Sequence, residues 1–149
     1  MTTLSISDKQ IIGLVMTAIT LWREARGQSY DCKVGVAFSI KNRIEKPSWW
    51  GNDWYSVITK KWQYSSLTDP KDKQLTFWPK LDDPTFAECF EIVMKVSSNE
   101  LPNPVPGADS YFDDSISRPP WATDKTFVKK IGRIEFHNVD GDYEKEVIS

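Results

Sequence analysis

Residues 11–27 read IIGLVMTAITLWREARG, and the fold follows from how that stretch is wound. At 100° per residue, Ile11, Leu14, Val15, Ala18, Leu21, Trp22 and Ala25 share one broad face, widened by Ile12, Met16 and Ile19. Such a helix is buried almost all round, and its polar remainder is a narrow stripe of Gly13, Thr17, Thr20 and Glu24 within roughly 60° of one another. Ser7 followed by Gln10 has the capping-box pattern, and Gly27 suits the position just past a helix end, which predicts a helix over 8–26. Glu24 is then a carboxylate on a rigid element, facing a groove. Two opposed readings follow. The carbonyls of the last turn and burial among aromatics raise its pKa, as a general acid requires. Arg23 and Arg26 pull the other way, and a structural ion pair is the commoner case.

Downstream, Val34, Ala37, Phe38, Ile40 and Ile44 recur at mostly helical spacing and Pro47 closes them, predicting a helix over 30–45. Phe86, Ala87, Phe90, Val93, Met94 and Val96 predict another over 85–98, after Pro84. A short helix fits 54–58. Short strands are expected at 63–66, 110–112 and 134–138. Pro102, Pro104 and Pro106 make 101–107 an extended connection inside one domain. The expectation is an α+β fold, mostly helical with a small antiparallel sheet, in a single domain spanning 1–149.

Composition narrows the function. The chain has 149 residues and a formal net charge of −2, so it carries no broad basic footprint for nucleic acid. Its seven Trp, seven Phe and five Tyr call for core packing or sugar stacking. The N-terminal residues lack a basic segment followed by a long apolar run, and the apolar run 11–22 is too short to span a bilayer. Synthesis in the cytoplasm without stable membrane association is expected. Cys32 and Cys89 have no CxxC spacing and His137 is the sole histidine; the expectation is two free buried thiols and no metal site.

Several segments in order carry a likeness. Leu21-Trp-Arg-Glu-Ala-Arg-Gly-Gln-Ser-Tyr-Asp, then Lys33-Val-Gly-Val-Ala and Ile40-Lys-Asn-Arg-Ile, resembles the glutamate motif of the spore-cortex-lytic and cell-wall hydrolase family. Trp62-Gln-Tyr-Ser-Ser is similar to its Q-F-S segment, and Asp109-Ser-Tyr-Phe, Pro120-Trp-Ala and Lys130-Ile-Gly to its later T-H-Y-H, P-x-W-A and I-G-N-H segments. The histidines of those last motifs are replaced here.

The resemblance implies a lysozyme-like fold and cleavage of the MurNAc–GlcNAc bond of peptidoglycan, with no cofactor. It implies Glu24 as catalytic acid and base, and Gln63, Tyr64 and Tyr111 along the sugar groove; Trp121 is a candidate groove residue beside them. A single glutamate suffices for a lytic transglycosylase, which leaves a 1,6-anhydro-muramyl end. A hydrolytic muramidase would want a second carboxylate, for which Asp109, Asp113, Asp114 and Glu135 qualify by residue type. Compact members of the family look like bacteriophage endolysins, implying a protein that reaches the wall through holin lesions for host lysis; a monomer is the default expectation. A non-catalytic glycan-binding or virion structural module is the competing class. No HExxH or Cys/His pattern supports a peptidase.

Overall fold

The computed structural model describes residues 6–60 and 63–140. In chain order these form α1 (Ile6–Ala25), α2 (Tyr30–Glu45), α3 (Trp54–Ile58), α4 (Ser65–Thr68), a 3-10 turn at Lys73–Thr76, α5 (Pro84–Ser97), β1 (Ser110–Asp113), β2 (Phe127–Ile131) and β3 (Ile134–His137). The strands make one antiparallel sheet in the order β1-β3-β2. The architecture is the mostly helical α+β arrangement that the sequence predicts.

Local signals explain most boundaries. The Ser29 side chain accepts the Cys32 N–H and starts α2. Asp53 and Ser56 form a reciprocal capping box on α3. Asp83 caps α5 ahead of Pro84 at its first turn, and its Oδ2 also accepts the Trp22 indole N–H at 3.2 Å, tying α5 to α1. α1 begins at Ile6, so Ser7 sits inside the first turn rather than at the cap. Gly27 lies in the following turn without a left-handed backbone.

Leu21, Val36, Ile40, Val57, Ile58, Ile92, Val93, Val96 and Phe136 are fully buried and fuse the helices to the inner face of the sheet. Removing that apolar area from water is the main favourable contribution to the fold. Two glycines set the close approaches. A Cβ at Gly13 would stand 2.5 Å from the Tyr55 backbone nitrogen, so α3 rests directly on α1. A Cβ at Gly35 would stand 2.8 Å from the Phe136 ring, so the sheet rests directly on α2. Thr17 and Thr20 are also fully buried, their hydroxyls donating to the Gly13 and Met16 carbonyls four residues back. The polar stripe of α1 is therefore a packing seam over most of its length, and of its members Glu24 reaches the groove.

The strand expected at 63–66 is absent. Tyr64 O accepts the N–H groups of Leu67 and Thr68, so the backbone satisfies itself in a helical turn, α4, that buries Ser66. Strand β2 escaped the sequence reading because its Lys129 and Lys130 face solvent on a sheet edge, leaving little apolar alternation. The proline segment is docked: Asn42 Nδ2 donates to the Val105 and Ala108 carbonyls. Cys32 and Cys89 are free and buried, with thiols pushed up to about 11 by desolvation. Trp62, of the Trp62-Gln-Tyr segment, lies outside the described residues, as do 141–149. Among the described residues no helix is long and apolar enough to cross a membrane.

Candidate active site

Glu24 stands in the last turn of α1, where α4 and β1 converge on it. Tyr111 of β1 donates its hydroxyl to Glu24 Oε1 at 2.9 Å, and Ser66 of α4 donates to Oε2 at 2.9 Å. Desolvation raises the Glu24 pKa above the ordinary glutamate range; the hydroxyls of Ser66 and Tyr111 pull it down by less, and the charge of Asp72 adds to the rise.

The arginines flanking Glu24 turn away from it. Arg23 is buried and spends its guanidinium on the carbonyls of Ser66 and Phe77 at 2.7 and 3.0 Å, stacked over Trp78. Arg26 donates to Gln74 Oε1 and to the carbonyls of Trp22 and Arg23. Among the described residues no ion pair involves Glu24. The ion-pair reading of Glu24 does not hold, because both flanking guanidiniums are engaged elsewhere, Arg23 by backbone carbonyls and Arg26 by carbonyls and the Gln74 amide oxygen.

A cavity of about 360 Å³ opens beside Glu24, and Gln63, Tyr64, Tyr111 and Trp121 all line it. The five residues singled out in the sequence thus meet on one wall system although they span 98 positions of chain. Tyr64 is almost wholly buried, and desolvation pushes its phenol up to about 12; Tyr111 is raised well above the ordinary value by burial and by the Glu24 charge. Both phenols therefore keep their protons and act as donors near neutral pH. A second cavity, of about 320 Å³, shares Glu24 and Tyr111 and is lined further by Arg23, Gln74, Phe112, Asp113, Ile116 and Ile134. Glu24 sits where the two meet.

Arg43 and Ser66 carry more of the site than the sequence discloses. Arg43 is buried in the cavity wall, donating to the Asp109 carbonyl at 2.7 Å and to Gln63 Oε1 at 3.2 Å, with Trp50 and Tyr64 against its guanidinium. It fixes the Gln63 amide, so that the amide N–H₂ is left for other acceptors. The Asn-Arg pair of the α2 motif is the one sequence signal that pointed to it.

The carboxylates differ sharply. Asp109 lines the cavity, but its oxygens accept the N–H groups of Val139 and Asp140 and the Ser110 hydroxyl. Asp113 and Asp114 pair with Arg133 and Lys130. Glu135 is held by Arg118 and His137, and it lines neither cavity. His137 is buried in β3 with its Nδ1 2.8 Å from Thr126 Oγ1, and that hydroxyl reaches the Trp121 carbonyl at 2.9 Å. The Trp121 indole packs edge-on against the imidazole at 5.5 Å between centroids, so His137 props the cavity wall from behind. Among the described residues no group of His, Cys, Asp or Glu is arranged to hold a metal ion.

No curated protein matches the chain. Among solved structures, the chain is similar to the catalytic domain of the germination-specific lytic transglycosylase SleB from Bacillus anthracis, at 24% identity and a TM-score of 0.64, covering 84% of this chain and 93% of that one. It is likewise similar to the catalytic domain of the Bacillus cereus SleB protein, at 23% identity and a TM-score of 0.62, covering 84% of this chain and 88% of that one. At these identities the likeness establishes the fold, which is lysozyme-like. The profile of the Cell Wall Hydrolase family matches residues 27–137, with Glu24 just ahead of that span. The match covers well over half of the chain, which therefore belongs to the cell wall hydrolase family.

Proposed function

We propose that the protein cleaves the MurNAc–GlcNAc bond of peptidoglycan as a lytic transglycosylase, with Glu24 as its acid and base. The observation that carries the reading is the Glu24 carboxyl, desolvated, unpaired with any cation among the described residues and held by two hydroxyls at the junction of two cavities. A raised pKa favours the protonated acid that a glycosidic oxygen requires. Glu24 gives that proton to the glycosidic oxygen, the bond from the muramyl anomeric carbon to that oxygen breaks, and the GlcNAc side leaves as an alcohol. The Glu24 carboxylate then takes the proton of the muramyl C6 hydroxyl, whose oxygen closes on the anomeric carbon. A 1,6-anhydro ring results, no water is consumed, and Glu24 is again protonated.

The donors around Glu24 supply the rest. The Tyr111 and Ser66 hydroxyls stabilise the carboxylate formed midway, which lowers the cost of the first proton transfer. Gln63, Tyr64 and Trp121 orient the sugars by hydrogen bonding and ring stacking. A hydrolytic outcome is the second reading, favoured by Asp109 in the same cavity. Mass spectrometry of fragments released from purified peptidoglycan separates the two. The expected muramyl ends are anhydro forms, lighter by one water than hydrolysed ends; reducing ends would assign the chemistry to hydrolysis and Asp109 to it.

The biological setting belongs to the same proposal: a bacteriophage endolysin, monomeric and without stable membrane association, made in the host cytoplasm and admitted to the wall by a holin. Its support is the family resemblance alone. Expression in a bacterial cytoplasm should leave cells intact until a holin is co-expressed, and lysis without one would remove that setting.

A further inference from the structure

A third hollow, of about 350 Å³, adjoins the Glu24 cavity through a shared residue, Trp49, and is lined by Trp49, Trp50, Gly51, Tyr55, Ser56, Thr59 and Lys60. The turn at 48–51, closed by Gly51 N–H to Ser48 O at 3.1 Å, sends its two central indoles opposite ways. Trp50 goes inward, 2% exposed, and donates its indole N–H to the Arg43 carbonyl at 2.8 Å. Trp49 is left 43% exposed, braced edge-on by Trp50 at 5.5 Å between centroids. One turn of α3 then brings up Tyr55, 39% exposed, with Thr59 four residues on, its hydroxyl bound to Tyr55 O. The Asp53–Ser56 capping box fixes the start of that helix.

Two large aromatic side chains on so short and well-braced a surface cost solvation unless something covers them. Rings preorganised by a closed turn and a capped helix lose little entropy when a flat partner stacks on them. The hollow adjoins the Glu24 cavity at Trp49, and Ser56, Thr59 and Lys60 line it beside the rings, a combination of aromatic faces and polar groups that suits the apolar face and hydroxyls of a pyranose. We infer that the Trp49–Tyr55 hollow is an outer sugar-binding site, taking a ring of the same glycan strand remote from the bond at Glu24. The inference rests on the glycan-strand reading above and adds to it a site for longer strands.

The test is calorimetric binding of peptide-free glycan tetrasaccharide and octasaccharide to the 149-residue Glu24→Gln chain, which holds strands without turning them over. The octasaccharide should bind the tighter. Adding Tyr55→Ala or Trp49→Ala should weaken the octasaccharide by roughly two- to tenfold more than the tetrasaccharide, the range of one aromatic contact. Tyr55→Phe and Trp49→Phe should retain most of the length preference, and melting temperatures identify any variant that fails to fold. Equal losses for both lengths, or none, would overturn the outer site. So would a loss confined to strands that still carry stem peptides, which would put a peptide there. Failure of either oligomer to bind, together with no fragments from wild-type protein, would instead bring down the glycan reading itself.

Discussion

Glu24 and Glu135 are the same residue type at opposite faces of strand β1 and its neighbours, and they ionise in opposite senses. Glu24 has two hydroxyl donors and no cation, and desolvation raises its pKa. Glu135 is also little exposed, and burial pushes it up; yet the hydrogen bonds of Arg118 and His137 bring it below the ordinary range. Burial alone therefore does not make an acid catalyst. What separates the two sites is whether a cation is paired with the carboxylate, and the two arginines flanking Glu24 in sequence are engaged elsewhere by backbone carbonyls and the Gln74 amide. Glu135 in turn steadies His137, which props the Trp121 wall. On the proposed reading Glu24 performs the chemistry, while Glu135 supports the groove wall through His137.

Exchanging each for glutamine sharpens that contrast most. Glu24→Gln should lower release of soluble peptidoglycan fragments by ~10²-fold or more, because it removes the transferable proton. Glu135→Gln should release the same fragments at a rate within about tenfold of wild type, since it alters only support of the groove. Equal losses would erase the distinction. Next in size, Tyr111→Phe should lower kcat by about tenfold, through loss of one hydrogen bond to the developing carboxylate. The same change should move the limb of the pH–rate profile that reports Glu24 to higher pH, because the Tyr111 hydroxyl lowers that pKa. An unmoved limb would detach Tyr111 from the acid.

Stability offers a comparison of opposite signs. Glu24 binds its proton more tightly folded than unfolded, so its contribution is full below about pH 4, near the unfolded value, and is lost as pH rises through the folded pKa. Glu24→Gln should accordingly melt higher than wild type at neutral pH, with the gap closing in acid. Glu135 binds its proton less tightly folded, so its contribution is present above the unfolded pKa and is lost as pH falls through the folded one. Glu135→Gln should melt lower at neutral pH by about 1 kcal/mol or less, since Arg118 is half exposed, and this gap too should close in acid. Thermal scans at neutral and acid pH check both signs. Smallest is Thr126→Val, which removes the hydroxyl between His137 and the Trp121 carbonyl; it should raise KM about two- to fivefold with a smaller change in kcat. A change in kcat alone would place the Trp121 wall among the groups acting in the transition state.

How much of this was legible beforehand depends on the range over which each signal acts. Helix α2 and the short α3 have the bounds that the sequence predicts, because for α2 the closing Pro47 and the apolar spacing are local signals. Glu24 stood out because a helix wheel is also local. Its partners are not: the Tyr111 hydroxyl comes from 87 positions away and the Ser66 hydroxyl from 42. Only the family resemblance pointed to Tyr111. Ser66 was read into a strand over 63–66, while in the fold no strand among the described residues pairs with that segment and its backbone closes on itself in a helical turn. Arg43 was visible as part of an Asn-Arg pair, but its hold on Gln63 and Asp109 arises from the packing of α2 against the start of β1. The direction of the Glu24 pKa was equally hidden, because the sequence sets two arginines beside it and the fold turns both away.

The central claim is that the surroundings of the Glu24 carboxyl raise its pKa. An NMR titration of carboxyl-labelled glutamates in the wild-type protein, with Glu24→Gln identifying the Glu24 signal, tests it directly. The account predicts a midpoint above the ordinary glutamate value of ~4.3, and above that of Glu135 in the same sample. A Glu24 midpoint at or below the ordinary value would contradict it.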